Sequence, residues 1–523
     1  MIGYQLVKAF PFKQYRQGQR EAIDAANDAF EAGKRFVIIE APTGAGKSAI
    51  AVTLTREASS AFVLTAQKIL QDQYARDFPE LALVKGRSNY PCEVNPLTNA
   101  SAAPCFLRHR DARCDACQYF TAKDNAMAAG SVVTNYAYYL AELNYSGGFD
   151  ERDLLILDEA HNAENALMQF LTVTMSEREL MRHGLDNLPP FIEDDEQYFD
   201  YLEDLLPDPW NLHSQAEQNL KKTKDPTSTV ALDIMRQRSW LSSQYQGIER
   251  IINSRNEDDI EWTVETRKQK SGTTLTFKPV SVASFAEDLL FTYGKRVLML
   301  SATILDPKTY LRSLGIDESD AAVIDVPSTF PAHKRPIIVQ PTAKLTRHYL
   351  ERDLPKLADA ISTLMDTHAR EKGVIHSHSY KIAQAILERL PISQQERIIT
   401  HTSSAGRDDA LERHCNSKKP TVLLTPSMTE GIDLAGDLSR WQVICKIPYP
   451  YLGDPQVARR KSLDPAWYDW HTTLTVVQAY GRSVRSEDDH AVTYLLDADF
   501  PSFVKRQKRR LPLWFVDALQ DTD

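Results

Sequence analysis

No window of about 18 residues in this chain is both apolar and free of charge, the length that a membrane-crossing helix requires. The opening MIGYQLVKAFPFKQYR also lacks the apolar centre of a signal peptide. Those two absences set the first expectations: a cytoplasmic protein with no membrane partner. Cysteine is scarce too, with six in 523 residues, too few for a disulfide scaffold. Nor is there an excess of positive charge: the formal net charge is −10, so any nucleic acid must be held by local basic grooves against the overall field. Acidity alone does not exclude DNA. What remains is an ordinary globular composition, 42% hydrophobic and 25% charged, long enough for about three or four domain-sized units.

The densest signal is FVIIEAPTGAGKSAIAV, residues 36 to 52. An apolar strand runs into A-P-T-G-A-G-K-S and then into an apolar helical stretch, the order strand, phosphate-binding loop, helix. Gly44 and Gly46 let the backbone curl so that the N–H groups of the Thr43, Ala45 and Gly46 region face one anion, and the helix beginning near Lys47 adds its positive end. Lys47 is placed to reach the β- and γ-phosphates of ATP or GTP, and Ser48 to ligate Mg²⁺. The plain alternative is a glycine-rich turn, against which the Lys-Ser pair counts.

A second apolar strand, in DLLILDEAHN (residues 153 to 162), delivers Asp158 and Glu159 at its carboxyl end. Parallel α/β sheets bind ligands there. Asp158 suits Mg²⁺, directly or through water, and Glu159 suits polarisation of the attacking water; alone, the pair would also read as a helix N-cap. A third strand leads to Ser301-Ala302-Thr303 in RVLMLSATIL (residues 296 to 305).

Together with VIHSHSY (374 to 380), TEGIDL (429 to 434) and QAYGRSVR (478 to 485), these motifs occur in the order of the superfamily 2 helicases, across nearly the whole chain. The four cysteines between the P-loop and D-E-A-H, with NYAYYL (135 to 140) and VPSTF (326 to 330), resemble the XPD/DinG-type iron–sulfur DNA helicases of that superfamily. The resemblance implies an α/β fold: two RecA-like parallel-sheet motor lobes, with an iron–sulfur insertion and a mainly helical arch insertion in the first lobe. The expected divisions are 1–84 for the P-loop part of lobe one, 85–123 for the cluster insertion and 124–180 for the D-E-A-H part. The arch then takes 181–280, the S-A-T part 281–340, and lobe two 341–523. Gln19, in YRQGQREAI, fits the adenine-reading glutamine of the superfamily, and TAQKILQDQY (65 to 74) its strand-contacting motif. Single-stranded nucleic acid is expected against Gln67, Lys68, Tyr136, Ser377 and Thr429. Gln478, Arg482 and Arg485 stand at helical spacing i, i+4, i+7, and the arginines are expected to meet the γ-phosphate as fingers.

Cys92, Cys105, Cys114 and Cys117 read C-x12-C-x8-C-x2-C, with one tight knuckle, and spacing alone leaves zinc and iron nearly even. The resemblance implies a [4Fe–4S] cluster; His109 could replace a thiolate in a zinc variant. From residue 85 to 123 the insertion carries six cations against three carboxylates, a net +3, with Tyr90, Phe106, Tyr119 and Phe120 interleaved. That composition suits phosphate grip and a strand-parting wedge, or a small aromatic core with a charged rim. Residues 193 to 208 carry eight carboxylates and no base, either a solvated face or a partner-docking surface. KRQKRR (505 to 510) reads equally as a solvated tail helix or a DNA-lining helix.

The expected activity is ATP-dependent translocation on single-stranded DNA, 5′ to 3′ by resemblance, with ATP, Mg²⁺ and a [4Fe–4S] cluster as cofactors. Single-stranded or forked DNA is the expected partner, a DNA–RNA hybrid the alternative, and a monomer is compatible. The rival activities are a translocase that remodels protein–nucleic acid complexes or hybrids, and a non-catalytic binding subunit, against which the intact Lys47, Asp158, Glu159, Arg482 and Arg485 argue. The motif order also leaves no expected room ahead of the motor for an appended nuclease.

Overall fold

The apolar runs become strands buried on both faces, as parallel sheets flanked by helices require. A computed structural model describes residues 9–93, 99–102, 117–185, 188–189, 195–223, 228–255, 257, 259–270, 272–328, 331–403, 406–426, 434, 436–481 and 489–521. The first sheet contains β1 (Phe36–Glu40), β2 (Ala61–Thr65), β3 (Ala82–Leu83), β4 (Ser131–Asn135), β5 (Arg152–Asp158), β9 (Gly294–Ser301) and β10 (Ala321–Asp325). Its order is β10-β1-β9-β5-β2-β4-β3, and its pairings are parallel. Val37, Ile38 and Ile39 of β1 are fully buried, as are Leu155, Ile156 and Leu157 of β5. Each such side chain contributes roughly 1.5–3 kcal/mol relative to exposure, so these strands anchor whatever hangs from their ends.

The register decides where those ends fall. Glu40 pairs with Ser301, and Asp158 with Leu300, so the carboxyl ends of β1, β9 and β5 finish at nearly one level. β9 lies between the other two. The P-loop leaves β1, D-E-A-H leaves β5, and S-A-T sits in the middle.

The second sheet repeats the plan with β11 (Ile337–Ala343), β12 (Gly373–His376), β13 (Ile398–Thr400), β14 (Val422–Thr425), β15 (Trp441–Ile444), β16 (Val492–Asp497) and β17 (Leu519–Asp521). The order is β13-β14-β12-β15-β16-β11-β17. β11 straddles residue 340, where the sequence reading had ended the first lobe, because the apolar pair Ile337-Ile338 already registers against β16.

Between β5 and β9 stand the helices Asp195–Leu205, Pro207–Lys222 and Thr229–Ser254, and a three-stranded antiparallel sheet of order β6-β8-β7 (Val173–Ser176, Gly272–Pro279, Trp262–Gln269). The acidic stretch is amphipathic: Tyr198, Phe199, Leu202 and Leu205 are buried, while Glu196 and Glu203 pair with Arg255, whose guanidinium also lies 5.0 Å from the Phe199 ring. The helix Pro465–Tyr480 of lobe two presses Trp467, Tyr468, Trp470 and Leu474 into the core of lobe one.

Candidate active site

The P-loop turns on two left-handed glycines, Gly44 at φ 85° and Gly46 at φ 81°. Gly46 is required twice over, since a Cβ there would stand 2.2 Å from Gln19 Nε2. The helix Lys47–Glu57 starts immediately after it and directs its free N–H groups at the loop. Gln19, expected to read adenine, is 2% exposed, and its amide serves the loop itself. Its Nε2 donates to the Ala45 and Gly46 carbonyls at 2.9 and 3.2 Å, and its Oε1 accepts the Arg16 N–H at 2.7 Å. The side chain therefore braces the phosphate cradle from behind.

Asp158 ends β5 with 4% exposure. Its Oδ1 accepts the Glu159 N–H at 3.0 Å and its Oδ2 accepts the Tyr74 hydroxyl at 2.9 Å. Burial raises the Asp158 carboxyl above the usual range, with Glu159 adding to the rise, while Lys47, Tyr74 and the Glu159 N–H oppose it. Glu159 adopts a left-handed φ of 50°, a strained conformation for a residue with a Cβ, and this turn aims its carboxylate across the cleft. Glu159 Oε1 lies 3.9 Å from Lys47 Nζ, and Glu159 Oε2 lies 3.5 Å from His161 Nδ1. His161 Nδ1 is also 2.8 Å from Ser301 Oγ, and Ser301 Oγ accepts the Thr303 N–H at 3.0 Å. Lys47, Ser48, Asp158, Glu159, His161 and Ser301 thus form one polar cluster on three adjacent strand ends.

The second lobe reaches this cluster through one helix. Gln478 Nε2 approaches Thr303 Oγ1 at 3.4 Å, Trp470 Nε1 donates to the Ile304 carbonyl at 2.7 Å, and Trp467 Nε1 donates to Glu164 Oε2 at 3.0 Å. Glu40 holds the same segment from beneath: its carboxylate accepts the N–H groups of Ile304 and Leu305, and Leu305 is left-handed at φ 66°. Arg482, Arg485 and Thr429 lie outside the described residues.

Two residues expected against nucleic acid are turned inward. Tyr136 is 3% exposed, and its hydroxyl donates to the Asp158 carbonyl at 3.3 Å, because the short helix Tyr136–Ala141 packs four of its six residues into the core. Ser377 is fully buried, its hydroxyl donating to the Ser379 and Thr425 carbonyls at 3.1 and 3.3 Å. Gln67 is half-buried and Lys68 exposed at the start of the helix Lys68–Asp77, so both remain accessible.

Of the cysteine set, Cys92 and Cys117 are described and both are buried, whereas Cys105 and Cys114 lie outside the described residues. The residues that follow the two described cysteines, Glu93 and Gln118, are hydrogen-bonded at 2.7 Å, which brings the two segments together. Among the described residues no group of three or more potential ligands gathers.

Four residues at the site had no standing in the sequence: Tyr74, Glu40, Trp467 and Trp470. Glu40 alone left a local trace, an acidic residue closing an otherwise apolar strand.

Comparison with known proteins shows what this chain resembles. Residues 12–182 match the family described as type III restriction enzyme, res subunit, and residues 361–518 match the helicase C-terminal domain. The ATP-dependent DNA helicase YoaA of Escherichia coli (strain K12) is 22% identical over 94% of this chain and 93% of its own. A probable ATP-dependent helicase of Methanocaldococcus jannaschii is also 22% identical, over 97% of this chain and 95% of that protein. Among solved structures, an XPD helicase superposes with a TM-score of 0.67 at 14% identity, covering 98% of this chain and 100% of that one. Xpd4 of S. tokodaii gives a TM-score of 0.62 at 15% identity, covering 97% and 100%. With the helicase C-terminal domain matched in lobe two, relatives named as ATP-dependent helicases aligned end to end and the fold held in common with XPD, the chain is similar along its length to the XPD/DinG-type helicases.

Proposed function

We propose that this chain is an ATP-driven DNA helicase that travels 5′ to 3′ along a single strand and parts the duplex ahead of it. The observation that carries the reading is the convergence of Lys47, Ser48, Asp158 and Glu159 at one strand edge, with Gln478 and Trp470 of the second lobe docked on the segment after β9. Full-length relatives named as ATP-dependent DNA helicases support the substrate class. Among the described residues no helix is long and apolar enough to cross a membrane, and we take the site of action to be the cytoplasm.

In this reading Lys47 exchanges its contact with Glu159 for the β- and γ-phosphates of ATP. Glu159, released, orients the attacking water and receives its proton. Mg²⁺ held by Ser48 and Asp158 would neutralise charge on the phosphoryl oxygens, and the two carboxylate bonds already made by Tyr74 and the Glu159 N–H fit that ligand role. Arg482 and Arg485 follow the helix Pro465–Tyr480 in sequence and would supply finger charge from lobe two. Hydrolysis weakens one lobe's hold on the other, and the difference in affinity for open and closed states becomes movement along DNA bound at Gln67 and Lys68. The four thiols Cys92, Cys105, Cys114 and Cys117 are a soft donor set suited to a [4Fe–4S] cluster, which would brace the basic insertion.

Lys47→Ala tests the site. ATP turnover measured with single-stranded DNA present should fall on the order of hundredfold or more. Turnover at the wild-type rate would overturn the assignment.

A further inference from the structure

The helix Lys68–Asp77 carries a residue that touches the nucleotide site from the side away from the P-loop. Tyr74 is 2% exposed, packed against Phe78, and its hydroxyl is spent on polar partners within a largely apolar core. It donates to Asp158 Oδ2 at 2.9 Å. The phenol therefore bonds to the carboxylate that the proposed reading assigns to Mg²⁺.

The direction of these contacts matters. A carboxylate that accepts one bond on each oxygen, from Tyr74 and from the Glu159 N–H, has its rotamer fixed and still keeps lone pairs on both oxygens. Gln71, one turn earlier on the same helix face, is fully buried, and neither its Oε1 nor its Nε2 has a hydrogen-bond partner among the described residues. A helix face that buries a phenol and an unsatisfied amide is built to meet polar ligands as well as to pack.

We propose that Tyr74 is a positioning residue for the divalent cation that accompanies the nucleotide, acting by orienting Asp158. The proposal rests on the nucleotide reading given above and goes beyond it. Partners that orient a metal's ligands change metal affinity by about tenfold or more when removed.

The test is the gain in nucleotide affinity that Mg²⁺ confers, measured by fluorescence titration of full-length protein with mant-ADP in EDTA and in MgCl₂. No turnover enters this measurement. Tyr74→Phe should lower the gain about tenfold while changing the Kd in EDTA by less than about twofold. Tyr74→Met, which fills the space without a ring or hydroxyl, should lose the gain likewise, and a thermal melt in EDTA verifies that each variant is folded. An unchanged gain in either folded variant would overturn the proposal, as would an equal loss in EDTA and in MgCl₂, the sign of a merely structural residue. Wild-type protein that binds mant-ADP no better than Lys47→Ala would instead sink the nucleotide reading itself, and this proposal with it.

Discussion

The two sheets have the same number of strands and the same parallel plan, yet their carboxyl edges differ in chemistry. In lobe one, β1 and β5 end in Glu40 and Asp158, with Glu159 directly after β5 and Lys47 one loop away. In lobe two, β12 ends in His376, followed by Ser377 and His378, and β14 ends in Thr425. Burial, with Lys446 adding to it, pushes His378 down to about 4, so its imidazole is neutral near pH 7. Strain is shared: left-handed non-glycine residues follow β5, β9 and β12 alike, at Glu159, Leu305 and His378, whereas the carboxylate of the second edge, Asp497 at the end of β16, is turned to the Ile447 N–H of its own lobe at 3.0 Å. The difference teaches that lobe one gathers Lys47, Asp158 and Glu159 at its edge while lobe two meets the segment beside them through a docked helix. Cooperation between the lobes should therefore be broken more readily at that helix than at the second sheet.

At the join between the lobes, the larger effect is expected at Trp470. Trp470→Phe removes the indole donor to the Ile304 carbonyl, which keeps the Asp306 N–H at 2.8 Å, so the change costs one buried hydrogen bond, about 0.5–1.5 kcal/mol. DNA-stimulated turnover should fall by about tenfold with little change in mant-ADP affinity, because the loss falls on the join between lobes. Equal losses in affinity and turnover would place the effect inside lobe one.

A smaller effect concerns Glu40, which supports the same segment from below. Its carboxyl is pushed up from 4.5 to about 7, by burial first, with Asp325 adding and the Leu305 and Ile304 N–H groups opposing. A carboxyl that binds its proton more tightly when folded makes the folded state less stable as pH rises from about 4.5 through about 7. Wild type should lose about 1–2 kcal/mol more than Glu40→Gln between pH 5 and pH 8 in urea melts. Parallel pH profiles would show that Glu40 titrates normally.

Much of the site was legible because it is local. Thr43 to Ser48 lie on one loop, and Asp158 and Glu159 end one apolar run, so spacing and patterning were enough. The interleaving of β9 between β1 and β5 was not legible, since strand order depends on pairing across more than a hundred residues. Tyr74 stood inside the quoted TAQKILQDQY, but its partner Asp158 is 84 residues further on. The inward turn of Tyr136 and Ser377 was not legible for a related reason: aromatic or hydroxyl type near a motif does not say which way the side chain points. For both, the packing of an adjoining strand or helix decided the matter.

Strand separation itself tests the central claim most directly. Forked DNA bearing a 5′ or a 3′ single-stranded tail should be offered to wild-type protein with ATP, alongside Cys114→Ser. The account predicts unwinding from the 5′ tail alone, abolished without ATP, and lost in Cys114→Ser while much of its ATP turnover persists. ATP turnover without any unwinding, or unwinding from the 3′ tail, would contradict it.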